Sequence, residues 1–273
     1  MITDISFVKA NLPEIKADAH KYSKGYAVIF AGSDFMAGAA ILAGKSSLKS
    51  GAGIVRLVVP KSIYPICATG LPEAVYSILG NDIDLNKCNS VLFGCGVGQG
   101  KEAEDTLLRV LSECEKPLLI DADGINLLSK HIDVLKHKKC PVVLTPHEGE
   151  MSRLTGFSAE YIHNNRQKVA SDFAKEYGVI LLLKGKDTVI SSPEGDVFIN
   201  PTGTSALATA GSGDVLAGII TAFMAQGADP FKSAVMGAFV HGLSGEKAEE
   251  VLTSRCVTAS DIIEYLKEAF KEC

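Results

Sequence analysis

Between Asn200 and Gly218 the chain gathers the residue types that handle phosphate. Pro201 and a stretch rich in Gly, Ser, Thr and Ala lead into Ala210-Gly211-Ser212-Gly213-Asp214 and then an apolar run. Glycines let backbone amides approach a ligand closely, and a helix starting near Gly213 offers an anion unpaired N–H groups and a favourable dipole. Asp214 is the first charged residue after Asp196. At that helix start it is placed either to cap the helix or to take a proton from a substrate hydroxyl.

Other segments carry weaker signals. Gly44-Lys45-Ser46 ends like a P-loop, but Gly38 lies one residue too far upstream and the segment is helical in pattern. Glycines at 94, 96, 98 and 100 do not make the G-x-G-x-x-G dinucleotide fingerprint; Gly94 to Gly98 reads as a turn that lets backbone come close to a ligand. His147 and Glu150 stand three apart after Pro146, on one face if a helix starts there. The zinc motif H-E-x-x-H is excluded because position 151 is Met. Glu150 either satisfies a helix dipole or orients water on a magnesium ion beside phosphates. Lys184-Gly185-Lys186-Asp187-Thr188 is either a nucleotide contact or a solvated turn.

Positioning these residues requires a framework. Continuous apolar runs recur at Ala27 to Ala31, Ile54 to Val59, Ser90 to Phe93, Pro117 to Ile120, Pro141 to Leu144 and Val179 to Leu183. Such runs predict strands buried on both faces of a mostly parallel sheet. Helical patterns alternate with them at Ala37 to Lys49, Glu102 to Cys114, Ile125 to Ser129 and Arg166 to Tyr177, which is the rhythm of a layered α/β fold. Pro193-Glu194-Gly195-Asp196 between Thr188 to Ser191 and Val197 to Asn200 predicts an added hairpin. Three helices are expected after it, over Asp214 to Gln226, Pro230 to Val251 and Ala259 to Lys271, the last capped by Thr258. Ligands of open parallel sheets bind beyond the strands' carboxyl ends. Gly32-Ser33-Asp34, Gly94 to Gly98, Asp121-Ala122-Asp123, Thr145-Pro146-His147 and Lys184-Gly185 all follow apolar runs, so they should converge on one rim.

With 273 residues and no evident linker, a single domain over 1–273 is expected. A net charge of −5 without clustered Lys and Arg argues against nucleic acid. Seven cysteines, none in a C-x-x-C pair, suggest free thiols in a reducing compartment. No signal-like segment or membrane-spanning run is apparent, so a soluble cytoplasmic protein is expected.

In order along the chain, Ala31-Gly32-Ser33 with Gly38-Ala39-Ala40, Leu48 to Gly53, Gly94 to Gly98, Thr145 to Arg153, Lys184-Gly185 and Asn200 to Asp214 resemble the ribokinase-like superfamily. Within it they resemble the ADP- or ATP-dependent NAD(P)H-hydrate dehydratase family. The sequence departs from that family at Cys95, where Pro is usual, and carries His147-x-x-Glu150 where the superfamily's sugar kinases have N-x-x-E. The resemblance implies a three-layer α/β/α fold. It implies nucleotide-dependent dehydration of the S-epimer of hydrated NADH or NADPH, a metabolite-repair lyase reaction that uses magnesium and consumes ADP or ATP. It implies Asp214 as catalytic base, with Ala39, Ala40, Gly96, Gly98, His147, Glu150, Arg153 and Asp214 on the hydrated dinucleotide. Lys184, Gly185, Lys186, Asp187, Thr188, Thr204, Ala210, Gly211, Ser212 and Gly213 would hold the nucleotide, with Glu150 near the metal through water, in a homo-oligomer. A vitamin-precursor or sugar kinase would use the same machinery but leave a stable phosphate ester. A non-catalytic nucleotide sensor would have no need of Asp214.

Overall fold

The computed structural model describes residues 1–273. In chain order its elements are α1 (Ile5–Asn11), β1 (Tyr26–Phe30), α2 (Ala37–Lys49), β2 (Ile54–Val59), α3 (Tyr64–Gly70), β3 (Val75–Ile78), β4 (Ser90–Phe93) and α4 (Lys101–Glu113). They continue with β5 (Leu118–Ile120), α5 (Asp123–Leu128), β6 (Val142–Leu144), α6 (Glu148–Thr155), α7 (Ala159–Asn164), α8 (Arg166–Tyr177) and β7 (Ile180–Leu183). The chain closes with β8 (Thr188–Ser191), β9 (Val197–Asn200), α9 (Ser212–Ala225), α10 (Pro230–Leu252) and α11 (Ala259–Glu272).

One nine-stranded sheet has the order β3-β2-β1-β4-β5-β6-β7-β8-β9. β1 through β7 pair in parallel, and the hairpin β8–β9 is added antiparallel. The predicted strands are all present, and their burial explains their composition: β4, β5, β6 and β7 are buried at every residue. β3 escaped the sequence reading because it is an edge strand, partly exposed along its length and without a continuous apolar run. The short helices α1, α3 and α7 were not predicted either; at six or seven residues each is too brief for a clear apolar period.

Helices cover both faces. One core cluster packs α4, α5, α6 and α8 against the sheet, and a second packs α2, α3, α9 and α10 against the other face. A third joins α9, α10 and α11 outside that layer. The α2–α9 contact is close because the meeting residues are small: a Cβ on Gly218 would lie 2.0 Å from Ser46 Oγ and 2.3 Å from the Ala43 carbonyl oxygen. No helix is long and apolar enough to cross a membrane.

Strand order reverses between β1 and β4, since the chain first builds outward through β2 and β3 and then returns. Loops leaving a parallel sheet diverge at such a switch and open a crevice. The Gly32 loop after β1 and the Gly94 turn after β4 meet there: Gly32 N–H donates to Cys95 O at 2.8 Å and Ser33 Oγ donates to Gly96 O at 2.8 Å.

Candidate active site

The start of α9 is open. Gly211 occupies the N-cap position at φ 87° and no side chain caps the helix, while the Gly213 and Asp214 amides donate to no backbone acceptor. Asp214 is the third residue of α9, so the helix-cap reading of this residue is corrected: the cap position belongs to Gly211, whose left-handed backbone turns the chain into the helix. A Cβ at position 213 would stand 3.7 Å from both Asp121 Oδ2 and Lys184 Nζ, an ordinary contact distance that places the helix start beside these two side chains.

Behind this opening lies a cluster of buried charges. Lys184 Nζ at the end of β7 donates to Asp121 Oδ1 at 2.7 Å and stands 3.7 Å from Glu150 Oε2. Burial works against the Lys184 ammonium, but Asp121 and Glu150 outweigh it and raise its pKa. Glu150 is raised chiefly by burial, with Lys184 acting against the rise. Asp214 is raised to about 7, first by burial and then by the Asp121 carboxylate, while the Cys95 thiol and Lys184 favour its charged form. A carboxylate that ionises near neutrality is matched to general-base work in a way an ordinary aspartate is not. Cys95, fully buried at the family's usual proline position, is pushed well above the thiol range by burial and then by Asp214 and Asp121.

A cleft of about 720 Å³ extends from Gly213 toward the β7–β8 turn. Its wall includes Lys184, Gly185, Lys186, Asp187, Thr188, Thr204, Ser212 and Gly213 from the predicted nucleotide set, together with His147. Ala210 and Gly211 lie just before the helix and do not line it. The predicted dinucleotide residues divide differently. Ala39 and Ala40 are buried in the first turn of α2, where a Cβ on Gly96 would lie 2.9 Å from Ala39 Cβ. Gly98, at φ 75°, donates its N–H to Asp123 Oδ2 at 2.9 Å. His147 and Glu150 do share one face, and α6 does start there, with His147 as its N-cap: His147 Nδ1 accepts from Gly149 N–H, and Glu150 Oε2 accepts from His147 N–H at 2.8 Å. Arg153, in the last turn of α6, is exposed, forms no ion pair and is not brought into the cleft.

Three further residues had no role in the sequence reading. Asp121 was visible as a strand-end cluster, and Ala122 beside it holds φ 51°, a strained backbone of the kind found at functional sites. His241, the lone histidine of α10 and within its buried stretch, meets Ser212 Oγ through Nε2 at 3.1 Å and is lowered to about 4 by burial, so it stays neutral. Arg166 donates to Leu183 O at 2.9 Å, Lys184 O at 3.3 Å and Glu148 Oε1 at 2.7 Å, bracing the strand end that carries Lys184. Nothing in its local sequence signals this, because its partners lie on other elements.

No group of three His, Cys, Asp or Glu side chains is gathered to hold a metal. That suits magnesium carried by phosphates and water, since this ion keeps several waters and takes few protein ligands. Glu150 Oε1 has His147 Nε2 as a neighbour at 3.5 Å, while Oε2 accepts from the His147 amide at 2.8 Å.

An open helix start beside a base of near-neutral pKa is what moving a phosphoryl group onto a hydroxyl demands, and the sheet that presents it is that of the ribokinase-like fold. Residues 27–268 match the NAD(P)H-hydrate dehydratase family, and the chain belongs to it. It is 37% identical to the bifunctional NAD(P)H-hydrate repair enzyme Nnr of Moorella thermoacetica over 96% of this chain and 52% of that protein. It is 32% identical to the ADP-dependent (S)-NAD(P)H-hydrate dehydratase of Bacillus subtilis over 97% of this chain and 95% of that one. The chain spans about half the length of the curated bifunctional relatives it matches. In structure it resembles the ADP/ATP-dependent NAD(P)H-hydrate dehydratase of Bacillus subtilis co-crystallised with ATP and magnesium. That match has a TM-score of 0.87 and 30% identity, over 97% of this chain and 95% of the other.

Proposed function

We propose that the protein uses ADP or ATP to dehydrate the S-epimer of hydrated NADH or NADPH, with residues 1–273 acting as one domain. The observation that carries this reading is Asp214, raised to about 7 beside the open start of α9, in a chain of the dehydratase family.

The chemistry follows from the leaving group. Hydroxide leaves a ring carbon poorly. In this reading Asp214 takes the proton of the ring hydroxyl as its oxygen attacks the terminal phosphoryl group, releasing AMP from ADP or ADP from ATP. The Gly213 and Asp214 amides hold the transferring group, and such donors are worth a factor of about 10²–10³. The ring nitrogen's lone pair then expels inorganic phosphate, and loss of a proton from the neighbouring ring carbon restores the double bond. Lys184 keeps Asp121 and Glu150 from repelling the incoming phosphates, and Arg166 fixes the backbone from which Lys184 reaches. Magnesium, when bound to the nucleotide, would neutralise phosphate charge, with Glu150 facing it through water.

The test is recovery of reduced-nicotinamide absorbance from enzymatically hydrated NADH with magnesium and either nucleotide. Recovery with one phosphate released per NADH is expected. Accumulation of a stable phosphate ester with no recovery would identify a small-molecule kinase instead.

A further inference from the structure

Phe35 is anomalous twice over. Its backbone lies at φ 69°, a left-handed conformation that is an outlier for a bulky side chain. Its ring is fully exposed, at 102% of the reference area. Neither feature helps the fold, yet the loop is firmly seated. Met36 N–H donates to Ser33 O at 2.9 Å, Ser33 Oγ to Gly96 O at 2.8 Å and Ser62 Oγ to Asp34 Oδ1 at 2.5 Å. Gly96 is shaped to receive the loop, since a Cβ there would stand 3.2 Å from Met36 Cβ. The ring is therefore held out from a fixed base, and that base is the turn whose Cys95 adjoins Asp214. Met36, the next residue, is 49% exposed.

We propose that Phe35 is a stacking platform for the adenine ring of the hydrated dinucleotide, whose other ring turns inward to Asp214. The proposal rests on the functional reading above. The substrate has a ring at each end. The hydrated ring must reach the Asp214 carboxylate, and with a double bond saturated it is no longer flat. Adenine keeps an unbroken π face, which is the surface an exposed phenyl ring binds by stacking. The loop of Phe35 rests on Gly96, whose neighbour Cys95 adjoins Asp214, so one turn links the exposed ring to the base and a dinucleotide with one ring at Asp214 has its other ring free to meet Phe35.

The experiment titrates NADH, the reaction product, by its own fluorescence against the wild-type protein and the F35A, F35G and F35Y variants, with reduced nicotinamide mononucleotide in parallel. F35A and F35G should weaken NADH binding about 10-fold, and F35Y should restore it. No variant should change binding of the mononucleotide, which lacks adenine. F35G should melt no lower than wild type, because glycine accepts the left-handed backbone freely. Unchanged NADH binding in F35A overturns the proposal, and so does an equal loss for both ligands, which would put the nicotinamide ring on Phe35. Binding is read without turnover. A wild-type protein that binds NADH but repairs no hydrate overturns the functional reading, while the comparison of the two ligands still decides the role of Phe35.

Discussion

The strands β4, β5 and β6 are each preceded by a buried cysteine, Cys88, Cys114 and Cys140. At their other ends the same strands deliver Cys95, Asp121 and, past Pro146, His147. The amino ends hold buried thiols, while the carboxyl ends carry the buried Cys95 and Asp121 and the exposed His147. At the amino ends the thiols settle on nearby carbonyls, with Cys88 Sγ 3.1 Å from Leu85 O and Cys114 Sγ 3.2 Å from Lys116 O, and burial pushes Cys88 up to about 12. At the carboxyl ends a cation arrives from β7, so Asp121 and Glu150 are buried beside Lys184 and Asp214 is left on the edge of ionisation. Burial raises Cys88, whereas the hydrogen bond with Cys140 outweighs burial at Cys114 and lowers it. Burial with a counter-charge and an open helix start tunes a titratable group.

Removing the cation should break this contrast most severely. Lys184→Met leaves Asp121, whose side chain is 2% exposed, without its partner, and should cost about 3–5 kcal/mol in urea unfolding. Asp214→Asn comes next, lowering turnover at least about 10²-fold with nucleotide affinity retained by calorimetry. In the wild type, kcat should rise with pH through about 7 as Asp214 ionises.

The same residue sets a stability signature. Between its usual value of 3.8 and about 7 the folded Asp214 holds a proton that the unfolded one has lost, so stability falls as pH rises through that window. His241 acts oppositely between about 4 and 6.5, where the unfolded imidazole is charged and the folded one neutral. Asp214→Asn removes only the first effect, so its melting temperature should gain on wild type as pH is raised from about 5 to 8.

Smaller effects sharpen the comparison. Arg166→Ala frees the Leu183 and Lys184 carbonyls and should raise the nucleotide KM about 10-fold with kcat little changed, as expected for lost positioning of a binding strand. Cys88→Ala, at the quiet end, should leave repair kinetics within about twofold and cost roughly 1 kcal/mol in unfolding.

What the sequence revealed follows the same division. Strands buried on both faces announce themselves by unbroken apolar runs, so the sheet that carries the site was readable while the edge strand β3, half-exposed, was not. The phosphate side was readable because it is continuous in sequence, from Asn200 to Asp214 and from Lys184 to Thr188. The convergence of the Asp121, His147 and Lys184 strand ends followed from the parallel sheet, but the pairing of Lys184 with Asp121 and Glu150 did not, because these residues follow different strands and no spacing links them. The capping by His147 and the bracing by Arg166 depend on local geometry and distant carbonyls that no spacing rule encodes.

The glycine at 218 reaches the site from a distance. With α2 and α9 in backbone contact at Ala43, Ser46 and Gly218, neither helix can slide along the other without collision. The loop bearing Phe35 leads into α2, and Asp214 lies in the first turn of α9, so the tight contact fixes the two relative to each other. The segment after the β8–β9 hairpin is tied to α10, where Asn200 Nδ2 donates to Ala238 O at 3.1 Å and Gly203 N–H donates to Glu246 Oε1 at 2.7 Å, and α10 packs on α9 in turn. The residue at 218 thus sets, from across the helix pair, where the loop of Phe35 stands relative to Asp214.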